Sequence, residues 1–243
     1  MSSSGKIYWY DELDSTNKEM IKQIENLASG DVIVTKQQSA GRGLGENHWH
    51  SKDDKNLTFS YFLVPDNVMA SQQYIINMAV ANAIRDFLAE KSRKEVVIKW
   101  PNDILVEGKK IAGVLIQHAL MGEEILHSTI GIGLNVNQLS FPGFTPPATS
   151  LGLLTGEDYN LKELLKEISE ALTLKFKALK QKEQLKAEFL SNLFRFKQWK
   201  KYVIRGKETV ARIEGISETG FLQLIDAGHK HYECDLKEVV YIY

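Results

Sequence analysis

The sequence KWPND at residues 99–103, followed by KIAG at residues 110–113, determines how the middle of the chain is interpreted. Proline cannot donate a hydrogen bond within a sheet and the pair Asn-Asp favours a turn, so we expect a strand to break here. Trp100 offers a broad face on which a flat ring can stack, and Lys110 stands at the head of an apolar strand. A core tryptophan at a hairpin corner, beside solvated lysines, would produce the same pattern.

A glycine-rich loop precedes this region, with the sequence QQSAGRGLGEN at residues 37–47. Its alternating glycines permit positive φ angles and a close approach of the backbone to a ligand, and Arg42 offers a planar fork to a phosphate or carboxylate. The loop matches neither GxxxxGK[ST] nor a GxGxxG that opens a helix. By itself it is compatible with an anion site and with a flexible surface loop that carries an incidental arginine.

A third motif, GIGLNVN at residues 131–137, places two glycines inside an apolar segment. Glycine within a strand usually marks a bulge or a ligand that lies against the backbone, and Asn135 adds a side-chain amide. Close packing against a neighbouring strand would explain the glycines equally well.

Composition restricts the classes of protein to consider. The 243 residues include 30 Lys and Arg against 31 Asp and Glu, a net charge of −1 that lacks the basic footprint of a duplex nucleic-acid binder. The one cysteine, Cys234, excludes an intramolecular disulfide framework and a cysteine-rich zinc site. Since no apolar run reaches about 18 residues and the N-terminus lacks the apolar core of a secretory signal, we expect a cytoplasmic protein with no membrane partner.

Hydrophobic periodicity predicts an α+β protein. An amphipathic helix is expected over residues 70–91, a long helical block over about 160–195, and a short helix after an N-cap at Asp14 or Ser15. The predicted strands lie at residues 7–12, 31–36 and 56–63 and within 96–137. From residue 202 onward, the spacing of glycines predicts a small β-barrel or sandwich-like module.

Together the motifs resemble those of biotin protein ligases in type, order and approximate spacing. The segments that carry the resemblance are DSTN at 14–17, QSAGRG at 38–43, KWPND at 99–103, KIAG at 110–113 and GIGLN at 131–135. By motif the resemblance covers residues 7–137, and by organisation it extends to the C-terminus. It implies a catalytic domain of mixed β-sheet and helices at residues 1–195 and a small SH3-like β-barrel at residues 196–243.

The resemblance implies an enzyme that forms biotinyl-5′-adenylate from biotin and ATP. The implied enzyme then acylates one lysine of a biotin carboxyl carrier protein or domain of a biotin-dependent carboxylase. Both small substrates are anions, so Mg²⁺ and neutralising side chains are expected, although the motifs identify no protein ligand for the metal. Arg42, Lys99 and Lys110 are the implied catalytic residues. Because the adenylate is labile in water, a loop that excludes solvent is also expected.

The same resemblance assigns binding roles to residues in and beside the motifs. Those implied in biotin binding are Ser15, Thr16, Asn17, Gln38, Gly41, Arg42, Gly43, Lys110 and Gly113. Those implied in binding ATP or the adenylate are Arg42, Trp49, Asn102, Lys110 and Asn135. The biotin ureido ring needs a few convergent donors and acceptors in an apolar slot, which Ser15, Thr16 and Gln38 can supply.

Two features depart from the pattern of the family. Leu44 stands where many relatives carry a second arginine, so the loop has less positive charge and we expect weaker retention of the adenylate. The sequence begins almost at the DSTN motif, so we expect neither the helix-turn-helix domain of repressor-type relatives nor a specific nucleic-acid partner. The motifs do not determine the oligomeric state, and a homodimer is left open.

Two other functions are compatible with part of this pattern. A lipoate–protein ligase shares the catalytic fold, although the glycine loop and KWPND favour biotin. A non-catalytic binding module, in which the β-rich tail engages a protein or RNA, is the alternative from another class. The presence of Arg42, Lys99 and Lys110 argues against such a degenerate site.

Overall fold

A seven-stranded sheet forms the larger part of the molecule in the computed structural model, which describes residues 5–45, 49, 51, 54–143 and 145–243. Its strands are β1 (Ile7–Leu13), β2 (Val32–Gln38), β3 (Leu57–Leu63), β4 (Val96–Lys99), β5 (Asp103–Val106), β6 (Lys109–Met121) and β7 (Glu124–Leu134). They lie in the order β1-β2-β3-β7-β6-β5-β4, with β1 and β2 parallel and the other neighbours antiparallel. The predicted mixed sheet is confirmed.

The α-helices of the described residues are α1 (Thr16–Lys22), α2 (Tyr74–Ser92), α3 (Leu151–Thr155), α4 (Leu161–Phe176) and α5 (Lys182–Ser191). The block expected over residues 160–195 is therefore two helices. A turn at residues 177–181 returns the chain so that α4 and α5 both pack on α2. Leu179 in this turn and Leu185 in α5 are buried, so tertiary packing, without a glycine or proline, ends α4. No helix among the described residues is long and apolar enough to cross a membrane.

The C-terminal part of the chain forms a second sheet that is antiparallel throughout. Its strands are β8 (Trp199–Ile204), β9 (Lys207–Ile216), β10 (Leu222–Asp226), β11 (His231–Cys234) and β12 (Val239–Tyr241). They lie in the order β11-β10-β9-β8-β12. This arrangement is consistent with the expected SH3-like module.

One continuous apolar core joins the two sheets. Trp100 is only 2% exposed, and its indole N–H donates to the carbonyl oxygen of Gly220, in the second sheet's loop, at 2.9 Å. It is thus a core tryptophan at a hairpin corner, and its N–H is committed to the protein. The division into residues 1–195 and 196–243 stays a prediction, because the packing runs across it.

The two faces of the seven-stranded sheet differ in what covers them. On one face, the Tyr61 hydroxyl of β3 lies 2.9 Å from Thr173 Oγ1 of α4, within the apolar layer that includes α2. On the other face, the neighbouring Ser60 is hydrogen-bonded to residues of α1. We call these the helix face and the groove face. Because α1 has only 7 residues, it covers part of the groove face and leaves a cavity beside it.

Candidate active site

A cavity of about 610 Å³ opens on the groove face. The predicted site residues that line it are Ser15, Thr16, Asn17, Gln38, Arg42, Gly43, Trp49, Lys99, Asn102, Lys110, Gly113 and Asn135. Gly41, the remaining predicted residue, lies next to this wall, since a Cβ placed on it would be 2.5 Å from the carbonyl oxygen of Trp49. The fold therefore brings all five sequence motifs to one place.

The start of α1 builds a polar end of the cavity. Ser15 is the N-cap residue of this helix, as predicted, but its side chain makes no capping bond and lines the cavity. The backbone N–H of Thr16 donates to Gln38 Oε1 at 3.0 Å, and Asn17 Nδ2 donates to the carbonyl oxygen of Leu115 at 3.3 Å. These bonds fix the direction of several polar groups, as recognition of a small polar ring requires.

Two glycines of β7 make room for side chains from other segments. A Cβ on Gly131 would lie 2.5 Å from Asn17 Oδ1, and a Cβ on Gly133 would lie 2.2 Å from the Trp49 ring. Both glycines lie inside a regular stretch of the ladders with β3 and β6, so they do not mark a bulge. They allow groups to lie directly against the backbone, which is one of the two interpretations that the sequence left open.

Two lysines and one aspartate form the cationic centre of the cavity. Lys110 Nζ lies 2.6 Å from Asp103 Oδ1, and Lys99 Nζ lies 3.4 Å from Asp103 Oδ2. Two ammonium groups and one carboxylate leave an excess of positive charge, so the cluster can hold an anion while Asp103 orients both lysines. Sequence reasoning treated Asp103 only as a turn residue. Its pairing with Lys99 across the β4–β5 hairpin is the signal that could have found it.

The glycine loop brings Trp49 and Arg42 to the same cavity. The Trp49 ring lies 5.7 Å from Lys110 Nζ, within the range of a cation–π contact. Its indole Nε1 is buried and has no hydrogen-bond partner among the described residues. Arg42 is exposed and makes no ion pair with any described residue. Residues 46–48 and 50 of the loop lie outside the described residues, so exclusion of solvent by this loop stays a prediction.

The second sheet supplies a wall of the cavity that the motifs did not predict. The residues of this wall are Leu236, Val239, Val240, Tyr241 and Tyr243. Lys99 Nζ lies 5.1 Å from the centre of the Tyr241 ring. Burial, together with the negative charge of Asp103, raises the pKa of Tyr243 to about 12, so its hydroxyl stays protonated at neutral pH. No local sequence signal predicts the wall, because residues 236–243 meet the rest of the cavity lining only through tertiary packing.

Asn102 and Asn135 are held in place by bonds to backbone carbonyl groups. Asn102 Nδ2 donates to Val114 at 2.8 Å, and Asn135 Nδ2 donates to Thr149 at 2.9 Å. Both side chains line the cavity, and their oxygens accept no hydrogen bond from the described residues. They are therefore oriented acceptors, and their predicted contact with a nucleotide stays a prediction.

This fold and site match a known family. A profile of the Biotin/lipoate A/B protein ligase family matches residues 9–135, just over half of the chain. The chain belongs to this family. One relative, the bifunctional ligase/repressor BirA of Bacillus subtilis, is 33% identical over 166 residues, which cover 67% of this chain and 51% of that protein. The chain thus spans about half the length of that relative.

Other members of the family extend the comparison. The biotin–[acetyl-CoA-carboxylase] ligase of Paracoccus denitrificans is 30% identical over 166 residues, covering 65% of this chain and 68% of that protein. The solved biotin protein ligase of Aquifex aeolicus has a TM-score of 0.76 at 23% identity, over 97% of each chain. Its complex with biotin and ATP has a TM-score of 0.75 at 25% identity, again over 97% of each chain. The shared fold includes the C-terminal sheet.

Proposed function

We propose that this chain is an ATP-dependent biotin–protein ligase. The observation that carries the proposal is a single cavity that joins a polar end at Thr16 and Gln38 to a cationic centre at Lys110, Asp103 and Lys99. Biotin has a polar ring at one end and a carboxylate at the other, so it can span these two regions. The names of the relatives, and a structural neighbour solved with biotin and ATP, support the same activity.

In the proposed first step, a carboxylate oxygen of biotin attacks the α-phosphorus of ATP. A phosphorus–oxygen bond forms and the bond to pyrophosphate breaks. Because both reactants are anions, their approach requires positive charge from the protein. Lys110 supplies an ammonium group on the rigid strand β6, beside Lys99, and Arg42 supplies a planar fork for carboxylate or phosphate oxygens.

In the proposed second step, the amine of a lysine on a biotin carrier domain attacks the acyl carbon of biotinyl-5′-adenylate. A carbon–nitrogen bond forms, the bond to AMP breaks, and the amine loses a proton. The adenylate must be kept from water until the carrier arrives. We expect Arg42 of the glycine loop and the Trp49 ring beside Lys110 to shield it, and both line the cavity.

Mg²⁺ is proposed to accompany the nucleotide. This ion keeps several waters and is usually held by one or two carboxylates together with substrate phosphates. Asp103 is the carboxylate that lines the cavity in the described part of the chain, where no group of 3 or more metal-ligating side chains occurs. Since both oxygens of Asp103 already face lysines, this donor set fits an ion that ATP brings and that phosphates and water would mainly hold. When bound, the ion supplies neutralisation of phosphate charge.

The proposal includes a division of labour between the two parts of the chain. Residues 1–195 would carry the groups that bind biotin and activate its carboxylate. Residues 196–243 would complete the cavity wall through β12 and leave the carrier lysine an entrance beside it. Support comes from the contact between Lys99 and the Tyr241 ring and from the bond between Trp100 and Gly220.

Mass spectrometry tests the proposed function. The purified protein is incubated with biotin, Mg-ATP and a biotin carrier domain, and pyrophosphate release is followed in parallel. We expect biotin-dependent release and a carrier that gains the mass of one biotinyl group. The absence of both signals would contradict the proposed enzyme and favour a binding module. Transfer of lipoate instead of biotin, accompanied by a thermal shift with lipoate alone, would favour the lipoate–protein ligase.

A further inference from the structure

We propose that Ser60 is a positioning residue that holds Thr16 and Asn17 in their hydrogen-bonding directions, an inference that rests on the proposed function. Ser60 lies on β3, the strand that pairs with both β2 and β7. It is 0% exposed and does not line the cavity, so it cannot touch a ligand directly. None of the five motifs contains it.

The hydroxyl of Ser60 connects two consecutive residues at the start of α1 to the sheet. Its oxygen lies 2.8 Å from Thr16 Oγ1 and 2.5 Å from Asn17 Oδ1. Asn17 Nδ2 donates to the carbonyl oxygen of Leu115 and to Gln117 Oε1, so the amide oxygen of Asn17 must face Ser60. The Ser60 proton is therefore committed to the amide oxygen of Asn17, which can only accept.

The Ser60 contact also orients the cavity wall. The Thr16 hydroxyl lies between Ser60 Oγ at 2.8 Å and Gln38 Oε1 at 3.5 Å, so its proton is directed to these oxygens and a lone pair is left for the cavity. Gln38 Oε1 also accepts from the Thr16 backbone N–H at 3.0 Å. Gln38 therefore directs its Nε2 away from Thr16, to a point 2.7 Å from where a Cβ on Gly41 would lie. The cavity is offered an acceptor at Thr16 Oγ1 and a donor at Gln38 Nε2.

This pattern selects a ring that has an N–H donor beside a carbonyl acceptor, which is the chemistry of a cyclic urea. A dithiolane ring has neither group, so the same pattern discriminates against lipoate. Without the Ser60 hydroxyl, the Thr16 hydroxyl would lose a fixed direction, and the buried Asn17 Oδ1 would lose its donor. The binding site would then be present but no longer pre-oriented.

Calorimetric titration of biotin into the full-length protein tests this role. We expect Ser60→Ala to weaken biotin binding by at least about tenfold, while ATP binding stays within about twofold of wild type. Ser128→Ala is the matched control, because Ser128 is an equally buried serine of the same sheet whose hydroxyl lies 2.8 Å from His118 Nδ1, outside the cavity. It should leave both affinities within about twofold. Wild-type affinity in Ser60→Ala would overturn the inference, whereas a wild-type protein that does not bind biotin would overturn the proposed function.

A double-mutant cycle separates positioning from a general loss of stability. If Ser60 acts through Thr16, the penalty of Ser60→Ala should be at least about threefold smaller in a Thr16→Val background than in the wild type. Equal penalties in the two backgrounds would refute the role. If Ser60→Ala shows no cooperative unfolding, Ser60→Cys replaces it, because a thiol is a weaker donor of similar size. That variant should lose part of the biotin affinity, and unchanged affinity would count against the inference.

Discussion

Two neighbouring residues of β7 show how differently the faces of the large sheet are built. Ile130 points to the helix face, where it is fully buried in the apolar core. Gly131 points to the groove face, where a Cβ would lie 2.5 Å from Asn17 Oδ1. On the helix face, free energy comes from the apolar area removed from water. On the groove face, a missing side chain makes room for the polar groups of the site. Adjacent residues of one strand thus serve stability on one face and function on the other.

The largest expected effect is a loss of stability caused by a substitution on the helix face alone. Ile130→Ala should lower the free energy of unfolding by about 2–5 kcal/mol, because it removes buried methylene groups and leaves a cavity. Urea unfolding measures this loss, and calorimetry should find biotin affinity unchanged in the folded protein. Gly131→Ala is the partner variant, for which we expect weaker biotin binding and only a small loss of unfolding free energy. A larger loss of stability in Gly131→Ala than in Ile130→Ala would contradict the separation of the two faces.

Removal of the Lys110 ammonium group is expected to break the groove face alone. Lys110→Ala should reduce the rate of biotin-dependent pyrophosphate exchange by about a hundredfold, or about 3 kcal/mol, because the carboxylate and the triphosphate repel each other without it. The fold should persist, since this side chain is partly exposed in the cavity. Circular dichroism and thermal unfolding provide the control. An exchange rate within about threefold of wild type would remove the assignment of Lys110.

A substitution in the glycine loop is expected to improve retention of the adenylate at the groove face. Leu44 is half-buried at the cavity wall and cannot donate a hydrogen bond to the adenylate. Leu44→Arg should slow release of the adenylate by about 1–2 kcal/mol, since ordering a flexible arginine offsets part of a charge-assisted bond. A chase experiment that compares the two off-rates measures the change. If Leu44 instead packs beneath the closed loop, arginine will disturb closure, and an equal or faster off-rate will show that the hypothesis is wrong.

The smallest expected effect concerns a polar pair on the helix face. His118 Nδ1 lies 2.8 Å from Ser128 Oγ, and burial lowers the pKa of the His118 imidazole from its usual value near 6.5. The unfolded chain then binds a proton that the folded chain does not, so stability rises with pH and is lost as pH falls below about 6.5. We expect this contribution to be smaller than the effects of Ile130→Ala, Lys110→Ala and Leu44→Arg.

Urea unfolding between about pH 5.5 and pH 7.5 measures the contribution of His118. The variant His118→Gln should show a shallower dependence of unfolding free energy on pH than the wild type. His127, whose pKa burial also lowers, retains its own contribution in both proteins. Parallel pH dependences in the two proteins would show that His118 titrates alike in the folded and unfolded states.

Much of the fold and the motif residues of the cavity wall could be predicted from the sequence. The amphipathic helix α2, the strands and the β-rich C-terminal part follow from periodicity and turn chemistry, which are local properties of the chain. The mixed sheet was implied by the family resemblance. The motifs identified Thr16, Gln38 and Lys110, because a resemblance in type and order depends only on the residues themselves. The glycines at 131 and 133 also signalled close approach, although the sequence could not say which side chains approach them.

Only the tertiary structure determines the contacts between segments that are distant in the chain. The motifs suggested Trp100 as a stacking surface, but its N–H is used to join the two sheets. The helical block divides after Phe176 because packing on α2 outweighs local helix propensity. Tyr241 enters the cavity wall, and Ser60 orients Thr16 from beneath it, without any local pattern that announces either role. The sequence by itself determined which chemical groups the site contains, because side-chain chemistry is local. Their directions and partners depend on the packed arrangement of the whole chain.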